Sequence, residues 1–201
     1  MRVAVLASGE GTNLQALLDH VHGRDGIAVV AVASDRPEAR ALERARSAGV
    51  VSSVFEREQY GDRASRDRAM AAWLTERGAE LIVLAGYMQL LSPEFLRRFA
   101  GRVINVHPAL LPAFPGLRAV EHALEYGVKV FGVTVHFVDE GIDTGPVILQ
   151  RAVELNAQRV EEVIERLQPI EHELLPEAVR LIASGAVRID ETNPRRVVIE
   201  R

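Results

Sequence analysis

The sequence predicts a doubly wound, mainly parallel α/β sheet that closes with antiparallel strands. Three observations predict it. Short apolar runs at 3–7, 27–33, 81–85 and 103–106 alternate with longer stretches of helical spacing at 13–20, 38–48, 62–77 and 93–99. Those runs are nearly continuous, as in parallel strands covered by helices on both faces. From about residue 128 the style changes. A β-branched run at 130–138 and a second strand at 147–155 are joined by 139–146, too short for a helical crossover, so the two are antiparallel.

Local signals place the elements in order. The first strand stops at the glycines of Ser8-Gly9-Glu10-Gly11, and Thr12 reads as the N-cap of the first helix. Gly49 and Gly78 read as C-terminal stops, and Ser92-Pro93 as a helix start. A helix over 159–167 is expected to break near Pro169 and resume toward residue 183, followed by a hairpin of 187–189 with 197–199. Neither a repeat nor a linker interrupts the pattern, so a single domain over 1–201 is expected.

Composition narrows the function. The 201 residues are 48% hydrophobic and 26% charged, ordinary for a globular enzyme or binding domain. A net charge of −4 supplies no basic field for nucleic acid. The absence of cysteine removes disulfides, thiolate metal sites and a Cys nucleophile together. The amino-terminal apolar run is too short for a signal-peptide core, and nothing approaches a membrane span, so a cytoplasmic location is expected.

Three motifs carry chemistry. Ser8-Gly9-Glu10-Gly11-Thr12-Asn13 joins a strand to a helix start, where glycines admit close approach and the helix dipole favours a phosphate. No Lys-Ser/Thr follows, which excludes a P-loop. Leu14 stands where a dinucleotide fingerprint needs its third glycine. The plain alternative is a tight turn without ligand. Asn105 and His107 share side-chain parity where a strand meets the loop Pro108-Ala109-Leu110-Leu111-Pro112. An imidazole moves protons near neutral pH, and a carboxamide donates to an oxyanion. The third motif is Asp143, in a glycine-bounded loop. It either makes a local Asx turn or reaches His107. His136, inside a strand, reads as core. The arginines Arg63, Arg66 and Arg68 beside Asp62 and Asp67 read as a solvated helix face, and Glu171-His172 as a solvent-facing pair. No pair of His or acidic residues has metal-ligand spacing, so no metal is expected.

Taken together, Asn105-Val106-His107-Pro108 with Leu110-Leu111-Pro112, Gly141-Ile142-Asp143-Thr144-Gly145, the glycine loop and the run from Ala85 to Pro93 resemble the folate-dependent formyltransferases. Over essentially the whole chain the resemblance is to the phosphoribosylglycinamide formyltransferases of purine synthesis. It implies a Rossmann-like formyltransferase fold and transfer of the formyl group of 10-formyltetrahydrofolate to the amine of phosphoribosylglycinamide (GAR). It also implies a catalytic trio of Asn105, His107 and Asp143. Gly11, Thr12 and Asn13 would cradle the substrate phosphate, and Gln168 and Glu171 would hold the ribose and glycine end. Met88, Gln89, Leu90 and Leu91, with Asp139, Glu140, Gly141 and Ile142, would wall the pterin pocket, and Arg63 would contact the folate. Gln89, Ala109 and Arg118 depart from residues frequent in the family, and Pro169 could tilt the turn carrying Glu171. The implied partners are small molecules, with neither nucleic acid nor membrane, and the chain is a monomer or homodimer. A formyltetrahydrofolate hydrolase carries a further amino-terminal domain, and a methionyl-tRNA formyltransferase needs a carboxy-terminal extension and a basic face. A non-catalytic nucleotide-binding module with Asp35 on the ribose is the reading of a different class.

Overall fold

A computed structural model describes residues 1–200. The element order is β1 (Arg2–Leu6), α1 (Thr12–His20), β2 (Ala28–Ser34), α2 (Arg40–Ser47), β3 (Ser52–Val54), a 3₁₀ turn (Arg57–Gln59), α3 (Arg63–Glu76), β4 (Leu81–Leu84), α4 (Pro93–Arg98) and β5 (Val103–His107). Then follow α5 (Ala119–Tyr126), β6 (Val130–Phe137), β7 (Val147–Glu154), α6 (Val160–Ala183), β8 (Val187–Ile189) and β9 (Val197–Ile199). Seven strands form one sheet in the order β3-β2-β1-β4-β5-β6-β7, and β8 and β9 form a separate pair. The chain's contacts gather into two compact units, Met1–Ile104 and Asn105–Arg201.

In the first unit β1 pairs parallel with β2 on one side and with β4 on the other, and β2 pairs parallel with β3. Chain progression therefore reverses direction at β1, and the crevice beyond its carboxyl end is a topological switch point. Val3, Ala4, Val5 and Leu6 have no exposed surface, which is why this strand reads as an unbroken apolar run. Leu14 and Leu17 of α1 and Met70 and Leu74 of α3 are fully buried on the helical side.

Two expectations fail in this unit. Thr12 is not the N-cap of α1. Gly11 is, in the left-handed region at φ 70°, without a side-chain cap bond. A Cβ there would lie 2.7 Å from the Cα of Ala41, so close helix approach and positive φ together demand glycine. Second, the arginine-rich stretch is not wholly solvated. Arg66 and Asp67 on α3 are buried at 1% and 0% exposure. The Arg66 guanidinium donates to Asp67 Oδ1 at 2.7 and 2.9 Å, and the backbone N–H of Ser92 donates to Asp67 Oδ2 at 2.6 Å. Arg66 also reaches the Leu90 carbonyl at 3.4 Å. The ion pair thus holds the 90–92 segment, whose Ser92 caps α4 through the Phe95 N–H. Sequence alone does not reveal that a long arginine stem can turn its head inward to meet its own neighbour. Arg68 does remain on the surface, paired with Glu94 at 3.2 Å.

In the second unit β6 and β7 pair antiparallel, as expected. The outer strand β7 carries exposed charge at Arg151, which pairs with Glu173 and Glu177 of α6. Charge on such an edge discourages pairing with other chains. α6 runs unbroken for 24 residues through Pro169 and Pro176, so the expected interruption does not occur. Pro169 lies on the exposed side, where solvent can satisfy the carbonyl that loses its donor. Val163, Leu167, Leu174 and Leu175 bury the opposite side before and after it, and that packing outweighs the lost bond. β8 and β9 form the expected hairpin. No helix among the described residues is long and apolar enough to cross a membrane.

The buried pair makes a stability prediction. Asp67→Ala strands the Arg66 charge in the interior and should cost about 3–5 kcal/mol. Arg68→Ala, which breaks only a surface pair, should cost less than about 1 kcal/mol. Urea unfolding of both variants measures the contrast, and equal losses would contradict this role for Asp67.

Candidate active site

β5 carries Asn105 and His107 on the same parity, and the structure brings both to the carboxylate of Asp143. Asn105 Nδ2 donates to Asp143 Oδ1 at 3.3 Å, and His107 Nδ1 faces Asp143 Oδ2 at 3.4 Å. The other ring nitrogen, Nε2, lies 2.8 Å from the Phe114 carbonyl. A carbonyl only accepts, so that nitrogen carries a hydrogen. Both nitrogens of His107 therefore face oxygen acceptors.

The loop between β6 and β7 aims Asp143. Its knot is tied by a different aspartate: Asp139 Oδ1 accepts from the Gly141 N–H at 3.1 Å and from Thr144 Oγ1 at 2.6 Å. A side chain at Gly141 would strike the Thr144 hydroxyl, and one at Gly145 would strike the Phe137 carbonyl. Asp143 sits at φ 52°, a left-handed conformation that Asp tolerates better than most residues. Its carboxylate is thus free of local turn duty and points across to β5. It also accepts from the Gly116 N–H at 2.7 Å, pinning the turn after Pro115.

His136 belongs to this cluster. It is buried at 1% exposure, as the strand reading implied. Its Nδ1 lies 2.8 Å from the Phe137 carbonyl, and its Nε2 lies 3.3 Å from Asn105 Nδ2 and 3.5 Å from Asp143 Oδ1. The sequence signal for this placement was weak, since one histidine in a strand reads as packing. Burial pushes the Asp143 carboxyl up. The hydrogen bond with His136, the Gly116 N–H and the two nearby imidazoles outweigh that and hold it at about 2.

The proline-rich loop after His107 is locked from β6 and β7. Thr134 Oγ1 donates to the Ala109 carbonyl at 2.7 Å and receives the Leu111 N–H at 3.2 Å. Gln150 Nε2 donates to Thr134 Oγ1 at 2.9 Å and to the Leu111 carbonyl at 2.8 Å. Mutually satisfied polar groups of this kind, centred on the buried Thr134, fix one loop conformation.

In the first unit a cleft of about 290 Å³ is lined by Ser8, Gly9, Glu10, Gly11, Thr12 and Asn13, with Arg36, Ala85, Gly86 and Met88. The loop's carbonyls are turned outward onto α2: Ala41 N–H donates to Gly9 O at 3.1 Å, and Arg44 Nε to Glu10 O at 2.8 Å. No acidic residue occupies the first turn of α1, so its positive dipole end is not neutralised there. Ser8 Oγ receives the Met88 N–H at 2.9 Å and ties the 86–88 segment to the glycine loop.

The remaining predicted residues are placed as follows. Gln89 donates to Asp35 Oδ2 at 3.0 Å. Leu90 is exposed and Leu91 buried. Arg63 is exposed at the first position of α3, outside the cleft lining. Asp139, Glu140, Gly141 and Ile142 form the exposed part of the β6–β7 loop. Gln168 and Glu171 are half-buried three residues apart on α6, hence on one face, and His172 is half-buried too rather than solvent-facing. Among the described residues no group of three or more His, Cys, Asp or Glu is arranged to hold a metal ion.

Comparison with known proteins places this architecture. Residues 1–179 match the formyl transferase family model. The chain is 41% identical over 181 residues to the phosphoribosylglycinamide formyltransferase of Bacillus subtilis, covering 89% of this chain and 93% of that protein. It is 43% identical over 192 residues to the trifunctional purine biosynthetic protein adenosine-3 of Bos taurus, but spans only 19% of that protein's length. The solved structure of glycinamide ribonucleotide transformylase 1 from Symbiobacterium toebii superposes with a TM-score of 0.95 at 48% identity, over 100% of this chain and 94% of that one. By sequence and by structure, the chain belongs to the formyl transferase family, in the group of phosphoribosylglycinamide formyltransferases.

Proposed function

We propose that the chain transfers the formyl group of 10-formyltetrahydrofolate to the amine of GAR, in the de novo synthesis of purines. The observation that carries this reading is the convergence of Asn105, His107 and Asp143, with the proline-rich loop after His107 fixed in place. The family model spans parts of both compact units, which supports reading the chain as one formyltransferase domain.

Formyl transfer forms a bond from the amine nitrogen to the formyl carbon and breaks the bond from that carbon to folate N10. Between the two lies a tetrahedral oxyanion. Asn105 Nδ2 is one donor for it, and the His107 Nε2–H, which would have to leave the Phe114 carbonyl it faces in the free protein, is the other. The attacking nitrogen must lose a proton and N10 must gain one, and His107, directly or through water, carries it. Asp143 orients the ring through its contact with Nδ1. Gly11, Thr12 and Asn13 hold the phosphate of GAR, with Gln168 and Glu171 on the ribose and glycine end. Met88 to Leu91, the 139–142 segment and Arg63 hold the folate. Organic donors suffice for each step.

The deciding experiment mixes the protein with 10-formyltetrahydrofolate and follows absorbance with and without GAR. An amine-dependent change is expected. An amine-independent change would make the chain a hydrolase, and no change would make it a binding module. Asn105→Ala and His107→Ala should each retain the fold by circular dichroism and lose roughly 10²–10³ in kcat. Near-normal turnover in either would sink the assignment. Gly11→Ala should weaken GAR binding, because its Cβ meets Ala41 and its φ is left-handed. Titration calorimetry reads this, with unchanged affinity as the contrary result.

Asp143 makes a pH prediction. Its folded value, about 2, lies below the ordinary 3.8, so its stabilisation is fully present above that ordinary value and is lost as pH falls through the folded one. The contribution is about 2 kcal/mol. The stability gap between the natural protein and Asp143→Asn should therefore close between about pH 5 and about pH 2. A gap that stays constant across that window would contradict the charged cluster.

A further inference from the structure

We propose that Arg36 is the cation that meets the phosphate of GAR and lets the glycine-loop cleft tell a phosphorylated glycinamide riboside from its unphosphorylated form. The inference rests on the formyl-transfer reading and deepens it.

A phosphate monoester carries a charge of roughly −1.5 to −2 at neutral pH. Backbone N–H groups and a helix start offer partial charge, equivalent to roughly half a unit. The cleft needs a full positive charge to match the ligand, and the charged side chains around it show where that charge resides. Glu10 lines the cleft, but its carboxylate is taken by Arg40 at 2.8 Å. Arg44 is spent on the Glu10 carbonyl and on Gln15 Oε1, at 2.8 and 3.0 Å. Arg36 also lines the cleft, and among the described residues its guanidinium makes neither a hydrogen bond nor an ion pair.

The position of Arg36 is built rather than incidental. It lies two residues past the end of β2, and its backbone N–H donates to Ser34 Oγ at 3.1 Å, holding the turn beside the switch point. Ser34 and Asp35 beneath it are buried, while the Arg36 side chain stays exposed. The α2 arginines thus neutralise the acidic side chain of the loop and turn its carbonyl outward. Among the described residues, the one unpaired guanidinium in the lining is left to the ligand. A guanidinium can engage two phosphate oxygens at once, whereas an ammonium acts as a point charge.

The test titrates GAR and its dephosphorylated riboside into the natural protein, Arg36→Gln and Arg36→Lys, at low and high ionic strength. Arg36→Gln is expected to bind GAR roughly tenfold more weakly, as for a lost charge-assisted hydrogen bond, and to bind the riboside as before. The salt dependence of GAR binding should shrink in that variant, because the screened charge is gone. Arg36→Lys should recover most of the affinity and of the salt dependence. The thermal midpoint should stay put in both variants, since an exposed, unpaired side chain is being changed. Unchanged GAR affinity in Arg36→Gln overturns the inference while the formyl-transfer reading stands. Equal weakening toward both ligands overturns it as well, because that marks a general change in the cleft. A natural protein that binds neither ligand overturns the formyl-transfer reading and the inference with it.

Discussion

The carboxylate of Asp143 stands among four nitrogens. Oδ1 faces Asn105 Nδ2 and His136 Nε2, and Oδ2 faces the Gly116 N–H and His107 Nδ1. Taking a carboxylate out of water is costly, and only such saturation of its lone pairs offsets that cost. The partners come from three pieces of chain: β5 supplies Asn105 and His107, the carboxyl end of β6 supplies His136, and the turn after Pro115 supplies Gly116. One anion thus ties the turn after Pro115 to two neighbouring strands of the sheet. The left-handed backbone at residue 143 is retained because the contacts it permits outweigh its cost.

The glycine loop solves the opposite problem. Its backbone carbonyls need donors of their own. They find them on α2, where the Ala41 N–H donates to the Gly9 carbonyl and the Arg44 guanidinium to the Glu10 carbonyl. That arrangement requires α2 to pack against the loop at the distance only glycine allows at position 11. The buried Arg66–Asp67 pair holds the next segment along in the same way, through the backbone groups of Leu90 and Ser92.

Most of this was legible in the sequence where one physical period dominates. Continuous apolar runs marked β1, β2, β4 and β5, and the short 139–146 loop marked the antiparallel pair β6 and β7. Parity alone put Asn105 and His107 on one side of β5. What escaped was the product of tertiary context. The three-residue strand β3 is too short to show a period, and α5, hidden behind the proline- and glycine-rich loop that precedes it, went unread. Pro169 argued for a break that flanking burial overrules. Arg66 and Asp67 looked like any surface pair because burial is decided by the elements packed above them. The same limit hid His136, whose contacts with Asn105 and Asp143 require β5 and the 139–146 loop to be placed first.

The departures from the family's frequent residues follow a related logic. At Ala109 the structure uses the backbone carbonyl, which accepts from Thr134, so the side chain there is not part of the lock. At Arg118 the chain turns through φ 60° to start α5, and the guanidinium pairs outward with Glu121 and Glu125 at 3.8 and 4.0 Å. Gln89 finds a partner in Asp35, while the neighbouring Met88 is positioned through its backbone N–H to Ser8. Where main-chain groups do the positioning, the side chain at that residue is released from it and can vary. Where a side chain meets the Asp143 carboxylate, as at Asn105 and His107, no backbone group can take its place. The cluster around residue 143 is therefore the part of this chain with the least freedom to change.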